Sequence, residues 1–265
     1  MAAQETRPGY RETVARLAGA QKVAARGAPA YSRYVNRRLG RYLAAWAFRA
    51  GLTPDGVTAI SALFTFSGIA VLALVPPSWW SGVAITLLLV LGYAFDSADG
   101  QVARLRGGGS PAGEWLDHVV DSIKVVSMPL ALAIGFYRFE AAPVAWLLVP
   151  LVSAVVSAVL FFAMILTEQL RRQAGTASVA SDAPGRPSWL RSVLVVPTDY
   201  GLLCFSFLLL GTGTLFLVVY TFLVAATGGF LALALVKWHR EMRGLAPHRP
   251  AGAPAVTDPS PAGQG

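Results

Sequence analysis

Cysteine is all but missing: the chain has one, Cys204, in 265 residues. A lone thiol inside an apolar run excludes a disulfide framework and a thiolate metal cluster, so packing within a helix is its expected role. Charge is also sparse. Only 14% of residues are charged against 55% hydrophobic, and the mean hydropathy is +0.54. That balance excludes an ordinary soluble domain and indicates an integral membrane protein. Acidic residues are the scarcer sign, 14 against 22 Lys and Arg, for a net charge of +8. A basic excess suits nucleic acid, but here the cations gather at the ends of apolar segments, as contact with anionic headgroups requires. No nucleic-acid partner is expected. The first thirty or so residues are polar and basic, without the apolar core of a cleavable signal peptide.

Residues 1–29 read as a polar, partly disordered segment, residues 30–240 as the membrane domain and residues 241–265 as a disordered tail rich in Pro, Gly and Ala. From Tyr31 to Ala50, Val35, Leu39, Tyr42, Leu43 and Trp46 recur at helical spacing, with Arg33, Arg37, Arg38, Arg41 and Arg49 between them. This predicts an amphipathic helix lying in the interface, its arginines toward lipid phosphates. Apolar stretches follow at about 57–75, 80–98, 118–137, 143–166, 199–215 and 217–237, the last two divided only at Gly211-Thr-Gly213. Each is long enough to span or nearly span a bilayer. The expected fold is therefore an all-α integral membrane protein with six transmembrane helices and an N-terminal interfacial helix. Twenty of the 22 Lys and Arg fall on one side of these spans; Arg138 falls on the other and Lys124 inside a span. The bias places both termini in the cytoplasm of a multi-pass cell-membrane protein.

Four aspartates sit at the cytoplasmic ends of the second and third spans: Asp96 and Asp99, then Asp117 and Asp121. Four ionised carboxylates in a membrane cost about 10 kcal/mol, comparable to the stability of a whole domain, unless cations neutralise them. Asp96, Asp99, Gly100 and Ala103 share one helix face, and Gly113, Asp117 and Asp121 share another. The short link between them, with Ser110 as cap and Pro111 at the first helical position, makes the helices antiparallel neighbours whose faces can meet. Oxygen-only donors select Mg2+ or Mn2+, and several carboxylates can hold two ions, an arrangement suited to displacement at phosphorus.

The pattern D-x-x-D-G-x-x-A-R-(x)8-G-x-x-x-D-x-x-x-D resembles the signature of the CDP-alcohol phosphatidyltransferase family, and every fixed position is matched. Leu52-Thr-Pro-Asp55-Gly-Val-Thr58 resembles the segment that precedes the family's first transmembrane helix. The resemblance implies a homodimer with its active site at the cytoplasmic surface. It also implies a Mg2+- or Mn2+-dependent enzyme of phospholipid biosynthesis: a CDP-linked lipid or CDP-alcohol donor gives up a phosphatidyl or other substituted phosphate group to an alcohol acceptor, and CMP is released. Carried over by position, it implies that Asp96, Asp99, Asp117 and Asp121 ligate the metal, with Asp121 serving also as general base toward the acceptor hydroxyl. Gly100, Ala103, Arg104 and Gly113 are expected to receive the CDP-donor. Arg104 offers a planar fork to phosphate oxygens. Thr53-Pro-Asp55 and Arg106-Gly-Gly-Gly109 resemble phosphatidylinositol phosphate synthases, whereas Gly113-Glu-Trp-Leu-Asp117-His118 and Asp121-Ser122 resemble aminoalcohol phosphotransferases. The donor and acceptor thus stay open.

Lys124, three positions after Asp121, is either a phosphate contact or an ion pair for a surplus carboxylate. Asp55 either contacts nucleotide or favours a helix start, while Glu114 and Asp199 read as helix-start residues and His118 as structural. Arg171, Arg172, Arg186 and Arg191 read as membrane-surface anchors before they read as acceptor ligands. The rival function is a cation transporter using the intramembrane aspartates as an ion path. Its charges belong near the bilayer midplane within repeated halves, and these aspartates lie at helix ends beside basic links.

Overall fold

The computed structural model describes residues 9–19, 30–176 and 198–245, and every regular element among them is helical. In chain order these are α1 (Tyr10–Gly19), α2 (Arg37–Arg49, entered through a π turn at Ser32–Asn36), α3 (Pro54–Leu74), α4 (Trp79–Leu105) and α5 (Pro111–Arg138). Then come α6 (Leu148–Gln173, preceded by a 3-10 turn at Val144–Leu147), α7 (Tyr200–Ser206, continued by the 3-10 helix Phe207–Thr212) and α8 (Thr214–Gly244).

Among the described residues, five helices are long and apolar enough to cross a membrane: α3, α4, α5, α6 with its 3-10 turn, and α8. They cover the predicted apolar stretches, but α4, α5, α6 and α8 run beyond them. Hydropathy marks only the lipid-crossing part of a helix; backbone hydrogen bonding continues into the polar ends. The stretch expected at 199–215 forms the shorter apolar helix Tyr200–Thr212. The expected break follows it: Gly213 has φ 57°, a left-handed conformation that glycine adopts without strain, and α8 starts at the next residue. Residues expected in the C-terminal tail are helical as far as Gly244.

The N-terminal segment also differs from its reading. α1 packs on α2, with Leu17 buried against the cluster formed by Ala44, Ala45, Val57 and Phe95. One short apolar ridge suffices there because the facing positions of α2 are small. Gly40, Ala44 and Ala47 of α2 are buried, whereas Val35, Leu39, Tyr42 and Trp46 face outward.

Two helix starts follow the local signals. Thr53 Oγ1 accepts from Gly56 N at 3.1 Å ahead of Pro54, and Ser110 Oγ accepts from Gly113 N at 3.0 Å ahead of Pro111. α4 is the hub, packing on α2, α3 and Tyr200–Thr212, while α5 packs against α3 and α6. The main apolar core joins Ile69 and Leu72 of α3, Ile85 and Leu89 of α4, Leu132 and Phe136 of α5, and Phe207 and Phe216. Small residues let the helices close up. A methyl group on Gly135 would run into the Leu72 carbonyl, and Ser61 Oγ donates to the Gly92 carbonyl at 2.8 Å. At the α4–α5 link, Arg106 Nη2 donates to the carbonyls of Gly51 at 2.9 Å and Leu52 at 2.8 Å, pinning it to the α2–α3 link.

Candidate active site

Carboxylates from the last turns of α4 and the first turns of α5 converge, as the shared faces predict, although the two helices pack on α3 rather than along one another. Asp96 of α4 and Asp117 and Asp121 of α5 each offer a carboxylate oxygen, and these oxygens lie within 4.8 Å of one another. Asp99 is not in that group. It is 8% exposed and turned toward α3, where Thr58 Oγ1 donates to its Oδ2 at 2.7 Å, while Gly100 N donates to its Oδ1 at 2.5 Å. The facing helices thus bring three of the four predicted ligands together and hold the fourth one turn away.

Lys124 lies at the centre of the cluster. Its ammonium donates to Asp96 Oδ1 at 2.8 Å and to Asp121 Oδ1 at 2.6 Å, and the residue is 4% exposed. Of its two sequence readings, the ion pair is the one seen. A half-buried carboxylate pair without a cation is costly, and the buried lysine offsets much of that cost.

The residues expected around the donor have distinct surroundings. Gly100 is open: an added Cβ would meet only an Arg104 guanidinium nitrogen, at 3.7 Å. Gly113 is closer set, since a Cβ there would come within 3.2 Å of Asp55 Oδ1 and 3.3 Å of Ser110 Oγ. Its missing side chain therefore admits Asp55 to the start of α5. Ala103 is buried, and Arg104 is exposed at the end of α4.

Other polar residues singled out in the sequence have partners of their own. Glu114 accepts from Arg172 Nη1 at 2.6 Å, tying the start of α5 to the end of α6. Arg171 pairs with Glu241 and joins α6 to α8. His118 sits 3.9 Å from Asp117 and 3.8 Å from Glu114, its ring edge-on to Phe161. Asp199 caps α7 through Gly201 N at 3.0 Å, as expected of a helix start, and also accepts from Tyr31 N at 2.8 Å. Arg186 and Arg191 lie outside the described residues. The sequence reading missed Thr58 as the partner of Asp99. Its signal was available: Thr58 follows Asp55 by three positions, on the same helix face.

The donor set fits a hard divalent cation. It offers only carboxylate oxygens, drawn from two rigid helices and already converged to a few ångströms. A separate cavity of about 300 Å³ lies at the other ends of α4 and α5, lined by Pro76, Pro77, Phe136, Phe139, Leu210 and Phe216 among others.

Residues 51–242 match the family model described as CDP-alcohol phosphatidyltransferase. The phosphatidylinositol phosphate synthase of Mycobacteroides abscessus is 37% identical over 94 residues, 35% of this chain and 40% of that protein. The synthase of Mycolicibacterium smegmatis is 35% identical over 86 residues, 32% of this chain and 37% of that protein. The chain thus spans about two fifths of the length of the curated relatives it matches. The crystal structure of Mycobacterium tuberculosis phosphatidylinositol phosphate synthase with CDP-DAG bound aligns with a TM-score of 0.52 and 22% identity over 77% of this chain and 93% of that one. The same protein in complex with manganese and citrate aligns with a TM-score of 0.51 and 22% identity over 74% and 87%. At that identity the likeness is one of fold.

Proposed function

Because the chain belongs to the CDP-alcohol phosphatidyltransferase family, we propose that it transfers a phosphatidyl or other substituted phosphate group from a CDP-linked donor to an alcohol acceptor, releasing CMP, in phospholipid biosynthesis. The observation that carries the reading is the convergence of Asp96, Asp117 and Asp121 at the ends of the two helices that hold the family signature. The neighbouring structures with CDP-DAG and with manganese support the donor class and the metal.

Asp96, Asp117 and Asp121 would hold Mg2+ or Mn2+, two ions in all, with Asp99 completing the ligand set from beside Thr58. Bound divalent ions supply charge neutralisation at the donor diphosphate and at the leaving CMP. Gly100 leaves open space beside the carboxylates for the nucleotide, Gly113 lets Asp55 close against the start of α5, Ala103 keeps the facing surface small, and Arg104 would offer its guanidinium to donor phosphate. Asp121 accepts the proton of the acceptor hydroxyl; its place on α5, fixed by Lys124, holds the carboxylate where the acceptor arrives. Asp55, drawn up to Gly113, is positioned for the nucleotide.

The membrane reading follows the same line. Tyr200–Thr212 completes a sixth crossing, α2 lies in the interface with Val35, Leu39, Tyr42 and Trp46 toward lipid, and the carboxylate end of the bundle faces the cytoplasm with both termini. The membrane domain occupies residues 30–240. A homodimer is supported by α6, of whose apolar stretch only 11% is buried within the chain, against 50% for α4. The test is release of radiolabelled CMP by the purified chain from CDP-diacylglycerol and CDP-aminoalcohols, crossed with glycerol phosphate, inositol phosphate, serine and diacylglycerol. At least one pair should turn over with Mg2+ or Mn2+ and stop in Asp96→Asn. Silence across the whole panel would sink the proposal.

A further inference from the structure

The structure assigns to Lys124 the role of a resident counter-cation, a positioning residue whose ammonium joins the Asp96 and Asp121 carboxylates across the α4–α5 contact and takes part of the place of a divalent ion. This inference rests on the metal reading above and deepens it.

Three observations carry it. The ammonium reaches two carboxylates on different helices, at 2.8 Å and 2.6 Å. The residue is 4% exposed, so its charge cannot be answered by bulk water and must be met inside the protein. Lys124 also lies one turn beyond Asp121 along α5, on the side away from the α4–α5 link, so it approaches the cluster from within the bundle. A ligand arriving from the cytoplasm meets the carboxylates first. That placement suits a base to the site better than a hand extended to substrate phosphate.

The charge balance gives the role its meaning. Asp96, Asp117 and Asp121 carry three negative charges, and Lys124 returns one. The double negative charge left on these three, to which Asp99 adds when it joins the ligand set, is what divalent cations would neutralise. Without the lysine, the empty cluster holds three mutually repelling carboxylates in a poorly solvated place. With it, the cluster stays folded when no ion is bound, and the like charge of the ammonium weakens the hold on an arriving ion.

The experiment uses the full chain in detergent, with Mn2+ binding followed by electron paramagnetic resonance and unfolding followed by fluorescence, each with and without Mn2+. Lys124→Gln should bind its first Mn2+ at least tenfold more tightly than wild type. Its metal-free Tm should fall by about 5 °C or more and recover when Mn2+ is added. Lys124→Arg, which keeps the charge, should remain close to wild type in both measurements. In the Lys124→Gln background, Asp121→Asn removes one surplus negative charge and should raise the metal-free Tm again. If Lys124→Gln can be purified only with Mn2+ present, the same dependence is shown in stronger form. Wild-type Mn2+ affinity in Lys124→Gln, or a Tm loss that Mn2+ does not restore, overturns the assignment. Failure of the wild-type chain to bind Mn2+ at all refutes the metal reading, and this inference with it; the sample that fails tells the two apart.

Discussion

Thr58→Val is the substitution with which the site can be probed most cleanly. Valine keeps the volume and β-branching of threonine and removes only the hydroxyl that donates to Asp99 Oδ2 at 2.7 Å. Both residues are buried, Thr58 at 5% exposure and Asp99 at 8%, so water cannot readily replace the lost donor. A neutral hydrogen bond between membrane helices is worth about 0.6 kcal/mol on average, while one to a charged group is worth about 1.5–3 kcal/mol. The Asp99 contact belongs to the charged class but keeps the Gly100 N–H as a second donor. We therefore expect a loss of about 1.5–2 kcal/mol, toward the low end of that range. In unfolding this is a Tm decrease of about 3–8 °C. In turnover, an Asp99 carboxylate released from its α3 anchor should lower kcat/KM about ten- to thirtyfold. The assay is CMP release alongside thermal unfolding, with Thr58→Ser as the control that restores the hydroxyl. If Thr58→Val and Thr58→Ser are equally active and equally stable, Asp99 does not depend on α3 and the account of its position is wrong.

Three further outcomes test separate parts of the structure. Asp121→Asn should reduce turnover at least a thousandfold while CDP-donor binding, measured by equilibrium dialysis, survives; loss of donor and metal binding together would make Asp121 mainly a ligand. Gly135→Ala should cost about 1–3 kcal/mol because its new methyl group meets the Leu72 carbonyl, which a Tm unchanged within error would contradict. Arg172→Ala removes an ion pair to Glu114 whose partners are 52% and 43% exposed, so stability should change by less than about 1 kcal/mol and kcat by less than about twofold. A tenfold loss of turnover would instead make Arg172 a substrate contact.

What the sequence made legible is what sequence spacing controls. The caps at Thr53 and Ser110 and the shared faces of Asp96 with Gly100 and of Gly113 with Asp117 and Asp121 are set within two or three turns of one helix. The convergence of the α4 and α5 carboxylates is legible in their short link, whereas the packing of both helices on α3 is not. What spacing leaves open has a common cause: the second partner lies on an element distant in sequence. The i, i+3 relation of Asp99 to Asp96 places both on one face, and spacing alone does not say which neighbour each carboxylate meets. A helix face is broad, however, and Thr58, 41 positions earlier, draws Asp99 to the α3 side. Glu114 stands in the first turn of α5, as the helix-start reading has it; its further bond to Arg172 spans 58 positions and needs the α5–α6 packing to exist. α1 was overlooked for a related reason. Composition averages over a segment, whereas docking needs only one complementary ridge, and Leu17 finds it where α2 presents alanines. Lys124 is the instructive case: its spacing from Asp121 is legible in the sequence, whereas its second partner, Asp96, comes from a different helix. In a bundle of this kind, then, spacing nominates the charged residues of a site. Which of them face substrate and which neutralise one another is settled by the helix that packs alongside.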